Sequence, residues 1–330
     1  MRVTREKLIT LARSEAELQG KTGDVISGYL IGSVVSGDPI LGGSADVDLV
    51  LIHNYTPDRQ HELKPLSPDF HLDITHHSRE LYQEPTALRI DPWLGPSMCE
   101  PIFLYDPGHF FERAQAGVRG QFYRGDHIHA RASAFLELAR NSKVNIQSDD
   151  NWIRGYLNSM LEAANAAVTL SGFPVAGRRL SPILKTRLQD FERPDLYLEF
   201  ERLLGADLIT HEGIVEWLTE WREVSDLRIS IDSSFPTERA AYFHNGFQAL
   251  LDVGQSKAIL WQLLNTWAEG IVSLRDLGVE KIPKQIWHDA LGQLRLNEEA
   301  QINRQDELEG FIDQIEELVE VWGDRYDSYT

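Results

Sequence analysis

The chain has 330 residues, 42% of them hydrophobic and 25% charged, with 32 Lys+Arg against 51 Asp+Glu. That length suggests about two domains with room for a real core, and the ordinary composition excludes a disordered or fibrous protein. A formal charge of −19 argues against nucleic acid as a partner, because such affinity rests on basic groups that neutralise phosphates. No apolar run approaches the roughly 18–20 residues of a membrane helix, and the polar start Met1-Arg-Val-Thr-Arg-Glu-Lys7 has no signal-peptide pattern. The single cysteine, Cys99, excludes a disulfide within the chain and a multi-thiolate metal site, so the expected setting is reduced and cytoplasmic.

Residues 3–19 read as a polar helix with Val3, Leu8, Leu11 and Leu18 as its apolar positions. Val25–Ile31 reads as a short strand ending at Gly32, and Val47–Ile52 as a second. In Phe70–Thr75 the apolar Phe70, Leu72 and Ile74 alternate with His71, Asp73 and Thr75, the pattern of a half-buried strand. A fourth strand, Pro101–Tyr105, stops at the Asp106-Pro107-Gly108 turn. Interleaved strands and helical stretches predict a small α/β domain over residues 1–120.

Beyond residue 120 helix signals follow one another. One helix is expected from residue 149 to about 171, where Gly172 and Pro174 stop it. Ser181-Pro182, Pro194-Asp195, Pro236-Thr237 and Ile282-Pro283 each place proline where a first helical turn tolerates it, and Thr210 precedes a stretch with Ile214, Trp217, Leu218 and Trp221 at helical spacing. Residues 256–277 and 298–322 complete the set. Six of the eight Trp residues lie between 217 and 322 and read as core. The predicted class is therefore α+β: a small mixed-sheet domain over 1–120, then an all-helical domain over 121–330.

The chemically informative segment runs from Ile31 to Val50. A Gly32-Ser33 pair follows a strand, and Asp46-Val47-Asp48 opens the next. Residues two apart in a strand share a face, so Asp46 and Asp48 project together while Val47 turns to the core. Paired carboxylates suit hard divalent cations, above all Mg²⁺. Asp73, on the following strand, completes a three-carboxylate cluster if that strand is a neighbour.

This order of residues resembles the nucleotidyltransferase superfamily that includes DNA polymerase beta, the aminoglycoside nucleotidyltransferases and the minimal bacterial nucleotidyltransferases. Their pattern is strand, Gly-Ser, about ten residues, Asp-x-Asp or Asp-x-Glu, then a third carboxylate on a later strand. Residues 20–110 carry the resemblance, and the helical part matches only in general pattern. The resemblance implies that Asp46, Asp48 and Asp73 hold Mg²⁺, that Asp73 draws the acceptor proton, and that Gly32 and Ser33 cradle the donor phosphates. Ser44 stands where the family has a serine before its first aspartate, although the Gly42-Gly43-Ser44 stretch also reads as plain spacing. The implied reaction is transfer of a nucleoside monophosphate, AMP from ATP or another from its own nucleoside triphosphate, to a hydroxyl of a small acceptor, such as an aminoglycoside-like antibiotic, in the cleft formed with the helical domain. Adenylylation of a protein partner, as by antitoxin-type members, and non-catalytic nucleotide binding are the alternatives.

Arg154, Asn158, Glu162 and Asn165 form a polar stripe along one predicted helix. It is either a solvated face or, by the resemblance, the source of a base, for which Glu162 is the candidate. Arg178, Arg179 and Lys185 make the densest basic cluster of an acidic domain, and Lys185 is the candidate to reach a triphosphate. His76-His77 and His127-x-His129 lack the third convergent ligand of a zinc site.

Overall fold

The computed structural model describes residues 3–37, 39–142 and 149–327. It is a mixed α/β chain with one sheet in its N-terminal part and helices after it. Two compact units are present, residues 1–127 with 234–246, and residues 128–233 with 247–330. The first unit thus ends near the boundary read from sequence but also contains a short segment from the middle of the helical region.

In the first unit the strands are β1 (Val25–Leu30), β2 (Ala45–His53), β3 (His61–Ser67), β4 (Phe70–Ser78) and β5 (Ile102–Tyr105), in the sheet order β3-β4-β2-β1-β5. The β2–β4 pair is parallel and the other three pairs are antiparallel. Helix α1 (Arg5–Gly20) is capped by the Thr4 hydroxyl, which accepts from the Lys7 N–H. Its Leu8, Ala12 and Ala16 pack into one core with Val47, Leu49 and Leu51 of β2 and Leu72 and Ile74 of β4. Each of these strands therefore commits alternate residues to the α1 side. The single turn α2 (Ser33–Ser36) follows β1, and α3 (Leu94–Cys99) and α4 (Phe110–Arg119) flank β5. On the sheet face away from α1, Tyr29 stacks on Phe111 of α4 with ring centroids 4.1 Å apart, and its hydroxyl meets that of Tyr82 at 2.8 Å.

The strand β3 has no counterpart in the sequence reading. His61-Glu62-Leu63-Lys64-Pro65-Leu66-Ser67 shows no apolar alternation because β3 is an edge strand, exposed or half-buried along its whole length. Charge and proline are tolerated, and protective, at such an edge.

The helices that follow are α5 (Gly125–Asn141), α6 (Asp149–Thr169), α7 (Leu180–Asp190), α8 (Pro194–Leu203), α9 (His211–Ile231), α10 (Thr237–Asp252), α11 (Leu260–Asp276), α12 (Gln285–Gln293) and α13 (Gln301–Asp327). No strand occurs after residue 120 among the described residues. In the second unit α6 packs against α7, α11 and α13. Its Ala163, Ala164, Ala166 and Ala167 are fully buried, small side chains that let neighbouring backbones approach. Two core tryptophans of this unit find partners for their N–H groups, Trp221 Nε1 donating to Thr266 Oγ1 and Trp261 Nε1 to the Leu157 carbonyl, both at 2.9 Å, whereas the buried Nε1 atoms of Trp152 and Trp267 have none among the described residues. Among the described residues no helix is long and apolar enough to cross a membrane.

Candidate functional site

The parallel register of β2 and β4 sets Asp48 opposite Asp73 and Asp46 opposite His71. Because paired residues of adjacent strands share a face, all four side chains project from the side away from α1. The carboxylate-bearing side chains of Asp46 and Asp73 are 14% and 22% exposed, and His71 is fully buried. The three candidate aspartates thus stand together on one sheet face.

Gly32 and Ser33 border the same group. Gly32 adopts φ 72° and ψ −151°, a region that only glycine enters without strain, and an added Cβ would lie 2.0 Å from Asp48 Oδ2. The Asp48 carboxylate therefore lies directly over the Gly32 backbone. The Ser33 Oγ is buried and makes no hydrogen bond. Leaving a buried hydroxyl unpaired is costly, so this oxygen is open to a partner.

A residue that the sequence did not flag completes the cluster. Arg239, on the part of α10 that belongs to the first unit, sets its Nη1 3.1 Å from Asp73 Oδ2 and 3.7 Å from Asp46 Oδ2. The same nitrogen is 3.3 Å from His71 Nε2. The rings of Phe243 and Tyr242, on the same helix, lie under the guanidinium at 4.9 and 5.5 Å. Gly42 allows this segment to approach: an added Cβ there would be 2.0 Å from the Asn245 carbonyl oxygen. Pro236-Thr237-Glu238-Arg239 carries only a helix-start signal, and no local pattern connects it to the distant Asp46 and Asp73.

Electrostatics follow from this crowding. Burial, and then the charges of Asp46 and Asp73, push the Asp48 carboxyl well above the usual aspartate range, with Arg239 opposing. Asp73 is raised by burial and by Asp46, against the pull of Arg239. For Arg239, burial works against the charge but is outweighed by Asp73 and Asp46, so its proton is held more tightly than usual.

The other candidates lie elsewhere. Ser44 is fully buried and its hydroxyl donates to the Leu41 carbonyl at 3.3 Å within its own turn. Glu162 and Lys185 belong to the second unit. Glu162 is buried in α6, whereas Lys185 is exposed on α7 with its ammonium 5.5 Å from the Tyr197 ring centre. The polar stripe divides accordingly: Arg154 and Asn158 face solvent, while Asn165 is buried and pins the Val175 backbone through two hydrogen bonds, at 2.7 and 2.9 Å. Arg178 is buried beside the start of α7. The histidines cluster at the other end of β4: His76 Nδ1 meets His53 Nε2 at 2.8 Å, and His77 Nδ1 meets the Tyr82 hydroxyl at 2.6 Å.

Three carboxylates offer an all-oxygen donor set, the chemistry that hard divalent cations prefer. As the side chains stand, no group of three or more His, Cys, Asp or Glu among the described residues is arranged to hold a metal ion. The cation that Asp46 and Asp73 do hold is the guanidinium of Arg239. The donor chemistry therefore fits a divalent ion, and the present arrangement is closed around an organic one. No protein-family model matches the chain, and no curated protein matches it.

Proposed function

We propose that this chain is a Mg²⁺-dependent nucleotidyltransferase that moves a nucleoside monophosphate, AMP from ATP, to a hydroxyl of a small acceptor and releases pyrophosphate. The observation that carries the proposal is the register that sets Asp48 opposite Asp73 with Asp46 on the same face, beside the Gly32-Ser33 turn. It is also the order of residues that resembles the nucleotidyltransferase superfamily. Asp46, Asp48 and Asp73 are the residues that would hold the divalent ions, which supply charge neutralisation at the transferring phosphoryl group when bound. Gly32 brings bare backbone to the cluster, and the buried, unpartnered Ser33 hydroxyl is a donor for a phosphate oxygen. In this reading Asp73 or Glu162 takes the acceptor proton, Lys185 contacts the donor, and the enzyme works in the cytoplasm.

The test is an acceptor screen, including aminoglycoside-like compounds, read as pyrophosphate release from ATP with Mg²⁺. Asp46→Asn and Asp48→Asn are near-isosteric and should abolish release while far-UV circular dichroism stays unchanged. Full turnover in either variant refutes the assignment. Glu162→Gln should retain ATP binding and lower the rate by about 10²-fold or more if Glu162 is the base. An unchanged rate leaves Asp73 in that role.

A further inference from the structure

The proposed reaction gives Arg239 no role, yet its guanidinium is fixed from several sides at once. Asp73 and Asp46 take its Nη1 at 3.1 and 3.7 Å, His71 Nε2 lies at 3.3 Å, and Phe243 and Tyr242 hold the plane of the group. Three carboxylates on one sheet face repel one another unless a positive charge stands among them. Arg239 provides that charge from within the chain, through Oδ2 of Asp73 and Oδ2 of Asp46, two oxygens of the donor set a divalent ion would draw on. Guanidinium and metal would compete for these two carboxylates.

We propose that Arg239 is a resident counter-ion that competes with divalent cations for Asp73 and Asp46, and so keeps the nucleotide-free protein in a state of low metal affinity. The inference rests on the reading that the three aspartates hold a divalent ion. Two features of the site support competition over assistance. The arginine bridges carboxylates on two different strands, so it must let go of both before an ion can draw them together. The aromatic faces beneath it stabilise the guanidinium where it is, which adds to what an incoming ion must overcome.

The probe is Mn²⁺ alone, with its binding to the full-length, nucleotide-free protein followed by electron paramagnetic resonance. Arg239→Gln removes the charge and should tighten Mn²⁺ binding by about 5- to 150-fold, the usual range for coupled equilibria. Arg239→Lys keeps a charge but loses the delocalised plane that lies over the Phe243 and Tyr242 rings, and should fall between the two. The metal-free melting temperature should drop in Arg239→Gln and be restored by Mn²⁺. If Arg239→Gln does not fold without metal, refolding on Mn²⁺ addition supports the proposal and Arg239→Lys carries the affinity comparison. Unchanged or weaker Mn²⁺ binding in the variants overturns it. Asp48→Asn separates the two readings. Mn²⁺ binding that Asp48→Asn abolishes but the Arg239 variants leave alone removes only the counter-ion. Binding that is indifferent to Asp48→Asn removes the metal reading as well.

Discussion

Replacing Gly32 by alanine tests the closest approach in the cluster. At φ 72° and ψ −151° a side chain strains the backbone by about 1–3 kcal/mol. The new Cβ would also lie 2.0 Å from Asp48 Oδ2 and 2.9 Å from its Cγ. The obstacle is the end of a side chain, so it turns aside at about 1 kcal/mol of rotamer cost and leaves the cluster. Together these predict a loss of about 2–4 kcal/mol. Gly37 is the control: its φ is 98° and an added Cβ would meet nothing within 4 Å, so Gly37→Ala should cost only the backbone term, about 1–2 kcal/mol. Urea unfolding of both variants, followed at several wavelengths because the chain has two units, measures the difference. Repeating Gly32→Ala in an Asp48→Ala background should recover the contact term and leave the backbone term. If Gly32→Ala costs no more than Gly37→Ala, or if removing Asp48 recovers nothing, Asp48 does not lie over Gly32.

Gly42→Ala should detach the 234–246 segment, since the added Cβ would meet the Asn245 carbonyl, a backbone atom that cannot rotate away; faster limited proteolysis within that segment is the readout, and unchanged cleavage refutes it. His77 is held neutral, chiefly by burial, with its pKa lowered from 6.5 to about 4. Its contribution is present above pH 6.5 and lost as pH falls toward 4, about 3 kcal/mol in all, so the urea midpoint should fall over that window and fall less in His77→Gln. His53 and His76, shifted in the same direction, leave part of the slope in place. Arg304 is buried and donates to the carbonyls of Arg202, Leu294 and Arg295 and to Glu307, closing the ends of α8 and α12. Arg304→Met should cost about 3–5 kcal/mol in thermal or urea unfolding, and a cost under 1 kcal/mol would show those carbonyls satisfied without it.

Several features of the chain were legible in its local pattern. Alternation along Phe70–Thr75 placed Asp73 opposite the apolar Leu72 and Ile74, and the Asp46-Val47-Asp48 spacing put both carboxylates on one face. Proline and capping signals located α6 to α10 and α12, because they act within a single turn of chain, whereas α5 (Gly125–Asn141) opens on no such signal and was not legible. The edge strand β3 escaped notice for the complementary reason: an edge is only partly buried, so nothing demands apolar alternation there. The sequence could not supply the β2–β4 register that sets Asp48 opposite Asp73, since pairing is decided by which apolar faces meet under α1. Nor could it show that Asn165 and Glu162 are buried while Arg154 and Asn158, on the same stripe, are solvated. Arg239 marks the limit most clearly. Its local sequence announces a helix start, whereas its charge acquires meaning only from carboxylates brought to it by the fold, and Coulomb energy depends on separation in space and not along the chain.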